Sequence, residues 1–146
     1  MFDQLVAYII GEYSRARRIV EVGVGNRIDV AERIKVALPL TEVVVTDRDE
    51  NWVRKHQTGK IQAVADDVMF PQLAVYHNAA LIYSIHPPVE IIPSMTDLAR
   101  RIGADLVLIP RSDEQEALLE EGWEKITREG RIVGWRRASL SGGPSK

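Results

Sequence analysis

The run Arg18-Ile19-Val20-Glu21-Val22-Gly23-Val24-Gly25-Asn26-Arg27-Ile28-Asp29 constrains the fold more than any other part of the chain. Residues 19–24 form a short, almost continuous apolar stretch, the pattern of a strand covered on both faces, and only Glu21 interrupts it. The stretch runs into two glycines and then into residues 29–38, where Val30, Ile34 and Leu38 recur at helical spacing until Pro39 stops the helix. Strand, glycine turn and helix in that order make a corner for a phosphate or a nucleoside. One glycine relieves the steric penalty of the tight turn, and the other removes a Cβ so that a ligand can approach the backbone. The usual patterns carry a third glycine. Here Arg27 stands where G-x-G-x-G would finish, and Ile28 where the dinucleotide pattern G-x-G-x-x-G would finish.

The alternation of strand and helix continues beyond that corner. An amphipathic helix precedes it over residues 4–15, with Leu5, Tyr8, Ile9 and Tyr13 on one face, ending near Arg15, Arg17 and Arg18. Residues 42–46 form a β-branched strand ending at Asp47, and a short charged helix spans about 50–56. A third strand over 60–65 ends at Asp66-Asp67, and 68–78 is a loop with a short helix. A fourth strand over 79–85 stops at Pro87-Pro88, and a helix over 94–102 closes at Gly103. A fifth strand covers 105–109 and a helix 114–121 ends at Gly122. Residues 123–127 and 131–137 then alternate around Arg128-Glu129-Gly130 as a β-hairpin, which places Trp123 and Trp135 on facing strands. Five strands linked by crossovers imply a mostly parallel sheet with helices on both faces, and the hairpin adds an antiparallel edge.

Composition narrows the function. A chain of 146 residues with 45% hydrophobic side chains is one domain, residues 1–138, followed by a small, polar, breaker-rich tail over 139–146. Nineteen basic against twenty-one acidic residues leave a net charge of −2, which gives no electrostatic reason for sequence-independent nucleic-acid binding. With no cysteine there is no disulfide, thiolate zinc site or cysteine nucleophile. His56, His77 and His86 are scattered, so no metal is expected. The apolar run 5–10 is far too short to span a membrane, and a cytoplasmic protein is expected.

Taken together, Glu21-Val-Gly-Val-Gly-Asn, Thr46-Asp47, Asp66-Asp67, Ser84-Ile-His-Pro-Pro-Val-Glu90 and the terminal hairpin resemble the Rossmann-like fold of S-adenosylmethionine-dependent methyltransferases, and more narrowly a small family of uncharacterised archaeal proteins with that fold. The resemblance covers nearly the whole chain. It implies an α/β three-layer sandwich around a mostly parallel seven-stranded sheet with a C-terminal antiparallel hairpin. It also implies S-adenosylmethionine, or a related adenine nucleoside, as cofactor. By resemblance Glu21 with Gly23 and Gly25 lie along its methionine part, Asp47 at the ribose hydroxyls and Asp66 or Asp67 at the adenine, and Val24, Asn26, Arg27 and Arg48 are the neighbouring candidates for cofactor binding. The ribose role also has a physical basis, since a carboxylate accepts two hydrogen bonds from vicinal hydroxyls and Asp47 lies 22 residues past Gly25, near the spacing that one helix and one strand produce.

Ser84, His86, Pro87 and Pro88 resemble the substrate-side motif Asp/Asn/Ser-Pro-Pro-aromatic of amino-group methyltransferases, with His86 at the first position and Val89 in place of the aromatic. The stacking ring for a flipped base is therefore missing. His86 is the candidate general base, although a loop histidine with a satisfied hydrogen bond fits as well. Arg27 either obstructs the cofactor or binds a carboxylate or phosphate through its fork of donors. Plainer readings stand beside these: a structural turn at Gly23 and Gly25, a helix cap at Asp47, loop caps at Asp66 and Asp67, and solvated ends at Arg100-Arg101 and Arg136-Arg137. Three functions follow: a minimal methyltransferase whose substrate is held by short loops, a second copy or a partner protein; a non-catalytic protein using the same fold for assembly or sensing; and a nucleotide- or NAD-binding domain, which Ile28 disfavours.

Overall fold

In the computed structural model, which describes residues 2–23, 25, 27–57, 59–112, 119 and 122–139, the strand before the glycines is the middle of the sheet. β1 (Arg18–Val22) pairs in parallel with β2 (Glu42–Asp47) on one side and with β4 (Ala79–Ile85) on the other. Each crossover returns the chain in the same direction, so β3 (Gln62–Ala65) adds beside β2 and β5 (Asp105–Ile109) beside β4. β6 (Glu124–Arg128) and β7 (Arg131–Arg137) form the hairpin, and β7 inserts antiparallel between β5 and β6. The order is β3-β2-β1-β4-β5-β7-β6, a seven-stranded, mostly parallel sheet with an antiparallel pair at one end.

Strand periodicity divides the core in two. Ile19, Val43, Val45, Leu81 and Tyr83 face α1 (Asp3–Glu12), α2 (Asp29–Ala37) and α3 (Glu50–His56), where Leu5, Ile9, Val30, Ile34 and Trp52 complete one cluster. Val20, Val22, Val44, Ile82 and Leu106 face the other way, toward α4 (Leu73–Tyr76) and α5 (Ile92–Ile102), and pack on Tyr76, Met95 and Leu98. A helix layer on each side leaves the carboxyl ends of β1 to β5 as one rim, the place where open parallel sheets bind ligands. No helix among the described residues is long and apolar enough to cross a membrane.

Local chemistry sets the boundaries. Asp49 caps α3 by accepting from the Asn51 and Trp52 amides, and Gly103 ends α5 in the left-handed region at φ 84°. α5 starts two residues earlier than its spacing suggests because a 3₁₀ turn at Val89–Ile91 leads into it and Pro93 fits its first turn. The third strand starts at Gln62 instead of residue 60. Trp123 precedes β6, so it does not face Trp135; Lys125 does, with its ammonium 5.7 Å from the indole centroid. Arg136 is likewise no solvated strand end. The two-residue period turns it toward α1, where its guanidinium contacts the Tyr8 hydroxyl at 3.2 Å, Asp105 at 3.7 Å and Glu124 at 3.8 Å. The helix expected over 114–121 lies outside the described residues except for Leu119, as does the tail beyond Ser139. The Ser139 amide itself donates to Asp105 Oδ1 at 2.7 Å.

Candidate functional site

Both glycines of the turn are left-handed, Gly23 at φ 66° and Gly25 at φ 61°, which only glycine adopts without a steric cost. A Cβ built on either would meet nothing within 4 Å, so open space lies against the backbone at both positions. The turn is fastened to β2 next door: the Gly23 amide donates to the Thr46 carbonyl at 3.0 Å and the Gly25 amide to Asp47 Oδ2 at 3.1 Å. The other oxygen of Asp47 accepts from the Asp49 amide at 3.0 Å. Each carboxylate oxygen has two lone pairs, so Asp47, half-buried at the rim, keeps acceptor capacity while it shapes the turn. Arg48 follows it, exposed. Val24 and Asn26 lie outside the described residues.

Below the turn is a buried acid. Glu21 is 2% exposed, and the Tyr83 hydroxyl donates to its Oε1 at 2.7 Å across the β1–β4 pair, in which the two residues are register partners. Burial pushes its pKa up from 4.5 to about 8, against the lowering effect of the Tyr83 hydrogen bond and the Arg27 charge. Glu21 is therefore protonated at neutral pH, which burying a carboxyl in an apolar layer favours. Ser84, also buried, ties the end of β4 to the Val22 carbonyl at 2.9 Å.

The two acids after β3 have different surroundings. Asp66 is buried and its oxygens are heavily used: Oδ2 accepts from the Tyr76 hydroxyl at 2.5 Å, and Oδ1 accepts from the Gln72 amide at 2.9 Å and its side chain at 3.2 Å. Asp67 is half-buried and accepts from the Met69 amide at 2.9 Å, a local turn of the kind Asp favours. Asp66 fixes the loop to α4, and Asp67 is the more accessible of the two.

At the end of β4, His86 has a left-handed backbone at φ 55°. Its amide donates to the Ile109 carbonyl at 2.8 Å, and its carbonyl accepts from the Arg111 guanidinium at 3.1 Å. Pro87 is buried and the exposed Pro88 leads into the 3₁₀ turn. The imidazole stands edge-on to the Phe2 ring at 5.8 Å between centroids, and Arg27 lies over that same ring at 4.3 Å. Desolvation and the charges of Arg27 and Arg111 lower the His86 pKa, so it is neutral at pH 7. The rim thus brings together Gly23, Gly25, Asp47 and Glu21 on one side and Arg27, Ser84 and His86 on the other, while Asp66 is turned inward. Tyr83, Phe2 and Arg111 join the site without a motif to announce them. Only Tyr83 left a signal, since a lone acid in an apolar strand needs a donor nearby. No group of metal-ligating residues occurs among the described residues.

Comparison with known proteins agrees with this architecture. Residues 2–133 match the Uncharacterised protein family (UPF0146), and the chain belongs to that family. The UPF0146 protein of Methanothermobacter thermautotrophicus is 36% identical over 135 residues, 90% of each chain. That of Pyrococcus horikoshii is 34% identical over 111 residues, 75% of this chain and 82% of its relative. Among solved structures, a chain of a fibrillarin/Nop5p complex covers 86% of this chain and 73% of its own length with a TM-score of 0.64 at 10% identity. The antibiotic-resistance methyltransferase Kmr covers 95% and 93% with a TM-score of 0.59 at 16% identity. A protein described as a putative methyltransferase, from Thermoplasma acidophilum, covers 86% and 69% with a TM-score of 0.57 at 17% identity. At such identities the likeness concerns the fold, which is the Rossmann-like fold of methyltransferases.

Proposed function

We propose that this member of the UPF0146 family binds S-adenosylmethionine, or a closely related adenine nucleoside, across the ends of β1 to β3 and acts as a minimal methyltransferase. The observation that carries the reading is the pair of left-handed glycines with open space beside them, held against a rim carboxylate that retains acceptor capacity. The residues present fit such a ligand. Gly23 and Gly25 would lie along its methionine part above Glu21, Asp47 would accept from the ribose hydroxyls with Arg48 beside it, and Asp67, with Asp66 bracing the loop behind it, would meet the adenine. When bound, this cofactor supplies a methyl group already activated on a sulfonium.

The work of the chain is positional. An oriented neutral nucleophile needs little acid–base help, because holding it in line provides much of the rate. His86, neutral at pH 7, can accept a proton at its imidazole from an acceptor that must lose one. Arg27 rests on Phe2, and that contact supports a role on the acceptor side more than one in the methionine space.

One observation favours a second reading, a non-catalytic protein of the same fold. The His86 carbonyl, where an amino-group substrate would donate, already accepts from Arg111. Calorimetric titration with S-adenosylmethionine, S-adenosylhomocysteine and NAD tests all three functions. Saturable binding of the two sulfur nucleosides but not NAD supports the proposal, and silence from both at millimolar concentration refutes it. Binding without methyl transfer to any acceptor would favour the second reading.

A further inference from the structure

Phe2, Arg27 and His86 come from three distant parts of the chain and meet at the rim beside the end of β4. The Phe2 and His86 rings make a corner of 66°, and the central carbon of the Arg27 guanidinium lies over Phe2, 4.3 Å from the ring centre. Among the described residues, four besides glycine have a left-handed backbone: Phe2, Asn78, His86 and Glu129. Asparagine tolerates that region, and Glu129 sits with Gly130 in the hairpin turn. Phe2 stands at the N-cap of α1 and His86 directly before Pro87, and theirs are the two rings that meet. A non-glycine residue stays left-handed where the surrounding structure insists on it, and such positions gather at ligand clamps.

Stacking engages the face of a guanidinium, whereas oxyanion recognition uses its edge, so Arg27 can serve both at once. The Arg111 guanidinium at the His86 carbonyl adds a second positive charge to the same wall. The neutral imidazole, near both charges, can pack against a flat group without adding charge. We propose that Phe2, His86 and Arg27 form an acceptor wall for a planar ring that carries an oxyanion, a carboxylate or a phosphate, with the ring in the Phe2–His86 corner and the oxyanion on the edge of Arg27. Calling that ligand an acceptor rests on the glycine turn being the methyl-donor site; its binding does not.

The test uses the full chain and follows the His86 imidazole by proton NMR, with and without S-adenosylhomocysteine, during titration of phenyl phosphate and of benzoate. Phenol supplies the ring alone and methyl phosphate the oxyanion alone. One or both aryl oxyanions should shift the His86 signals saturably, the tighter of the two identifying the anion, while phenol and methyl phosphate bind at least about tenfold more weakly. Phe2→Leu and Arg27→Met should each weaken the aryl oxyanion about tenfold and leave S-adenosylhomocysteine within about threefold of the unaltered protein. Absence of a saturable His86 shift with either aryl oxyanion, or equal binding of phenol or methyl phosphate, overturns the wall, and it does so in the unaltered protein even if a variant fails to fold. If the nucleoside binds and the aryl oxyanions do not, the wall alone falls. If the aryl oxyanions bind and the nucleoside does not, the donor site falls and the wall stands.

Discussion

The two halves of the rim do opposite things with charge. At the ends of β1 to β3 acids predominate, with the exposed Arg48 the one cation beside them: Glu21 neutralised by burial, Asp47 half-buried at the glycine turn, Asp66 locked inward and Asp67 next to it. Around the ends of β4 and β5 the groups are cationic or neutral: Arg111 at the His86 carbonyl, Arg27 swung onto Phe2, and an imidazole kept uncharged. A ligand lying across both would have hydroxyls and amino groups on the first half and an anion on the second. The difference teaches that like residues at like sequence positions are not equivalent. Asp47 and Asp66 both end strands, yet one is open to a partner and the other is consumed by Tyr76 and Gln72.

The largest expected effect concerns the one acid, among the described residues, whose charge burial removes. Glu21 keeps its proton up to about pH 8 when folded and loses it near pH 4.5 when unfolded. Its contribution to stability is full below the unfolded value and is lost as pH climbs through the folded one, falling by up to about 1.4 kcal/mol per pH unit between them. Urea unfolding between pH 5 and 8 should show that decline, and Glu21→Gln, which still accepts from Tyr83, should flatten it. An equal slope in both proteins would mean that Glu21 is ionised in the fold.

Next comes the contrast between the two strand-end aspartates. Asp66→Ala takes the carboxylate acceptor from the buried Tyr76 hydroxyl and removes the Gln72 hydrogen bonds that fix the loop, for a loss of about 3 kcal/mol measured by denaturant unfolding. Asp67→Ala removes one turn hydrogen bond and should cost about 1 kcal/mol. Comparable losses would erase the distinction between a bracing and an accessible acid. The stability effect of Gly25→Ala falls below that of Asp66→Ala, about 1–2 kcal/mol of left-handed strain with no clash, since nothing lies within 4 Å of the added methyl. In nucleoside titrations the same methyl should weaken binding by at least about tenfold if a ligand uses that space. Affinity that tracks only the folded fraction would return the turn to a purely structural role.

Much of this architecture was legible in the residues. The apolar run, glycine turn and amphipathic helix marked β1 and α2, and the series of strands ending in acids with a closing hairpin implied the seven-stranded sheet. These are local periodicities, and local spacing records them faithfully. What escaped depends on contacts across long stretches of chain. Phe2 reaches His86 from 84 residues away, and Arg111 reaches the His86 carbonyl from 25 away. The pair Arg136-Arg137 read as two solvated cations, because two adjacent residues look alike until a strand turns one of them toward Tyr8 and Asp105. Asp66 and Asp67 were indistinguishable for the same reason; Tyr76, ten residues on, decides between them.

The central claim, that the glycine turn and the Asp47 carboxylate together hold an adenine nucleoside, is tested most directly by calorimetric titration of S-adenosylhomocysteine into the unaltered protein and into Asp47→Ala. Saturable binding that the substitution weakens by about 1–3 kcal/mol, with the fold intact by circular dichroism, is the expected result. No binding to the unaltered protein, or binding of equal strength to both, would contradict it.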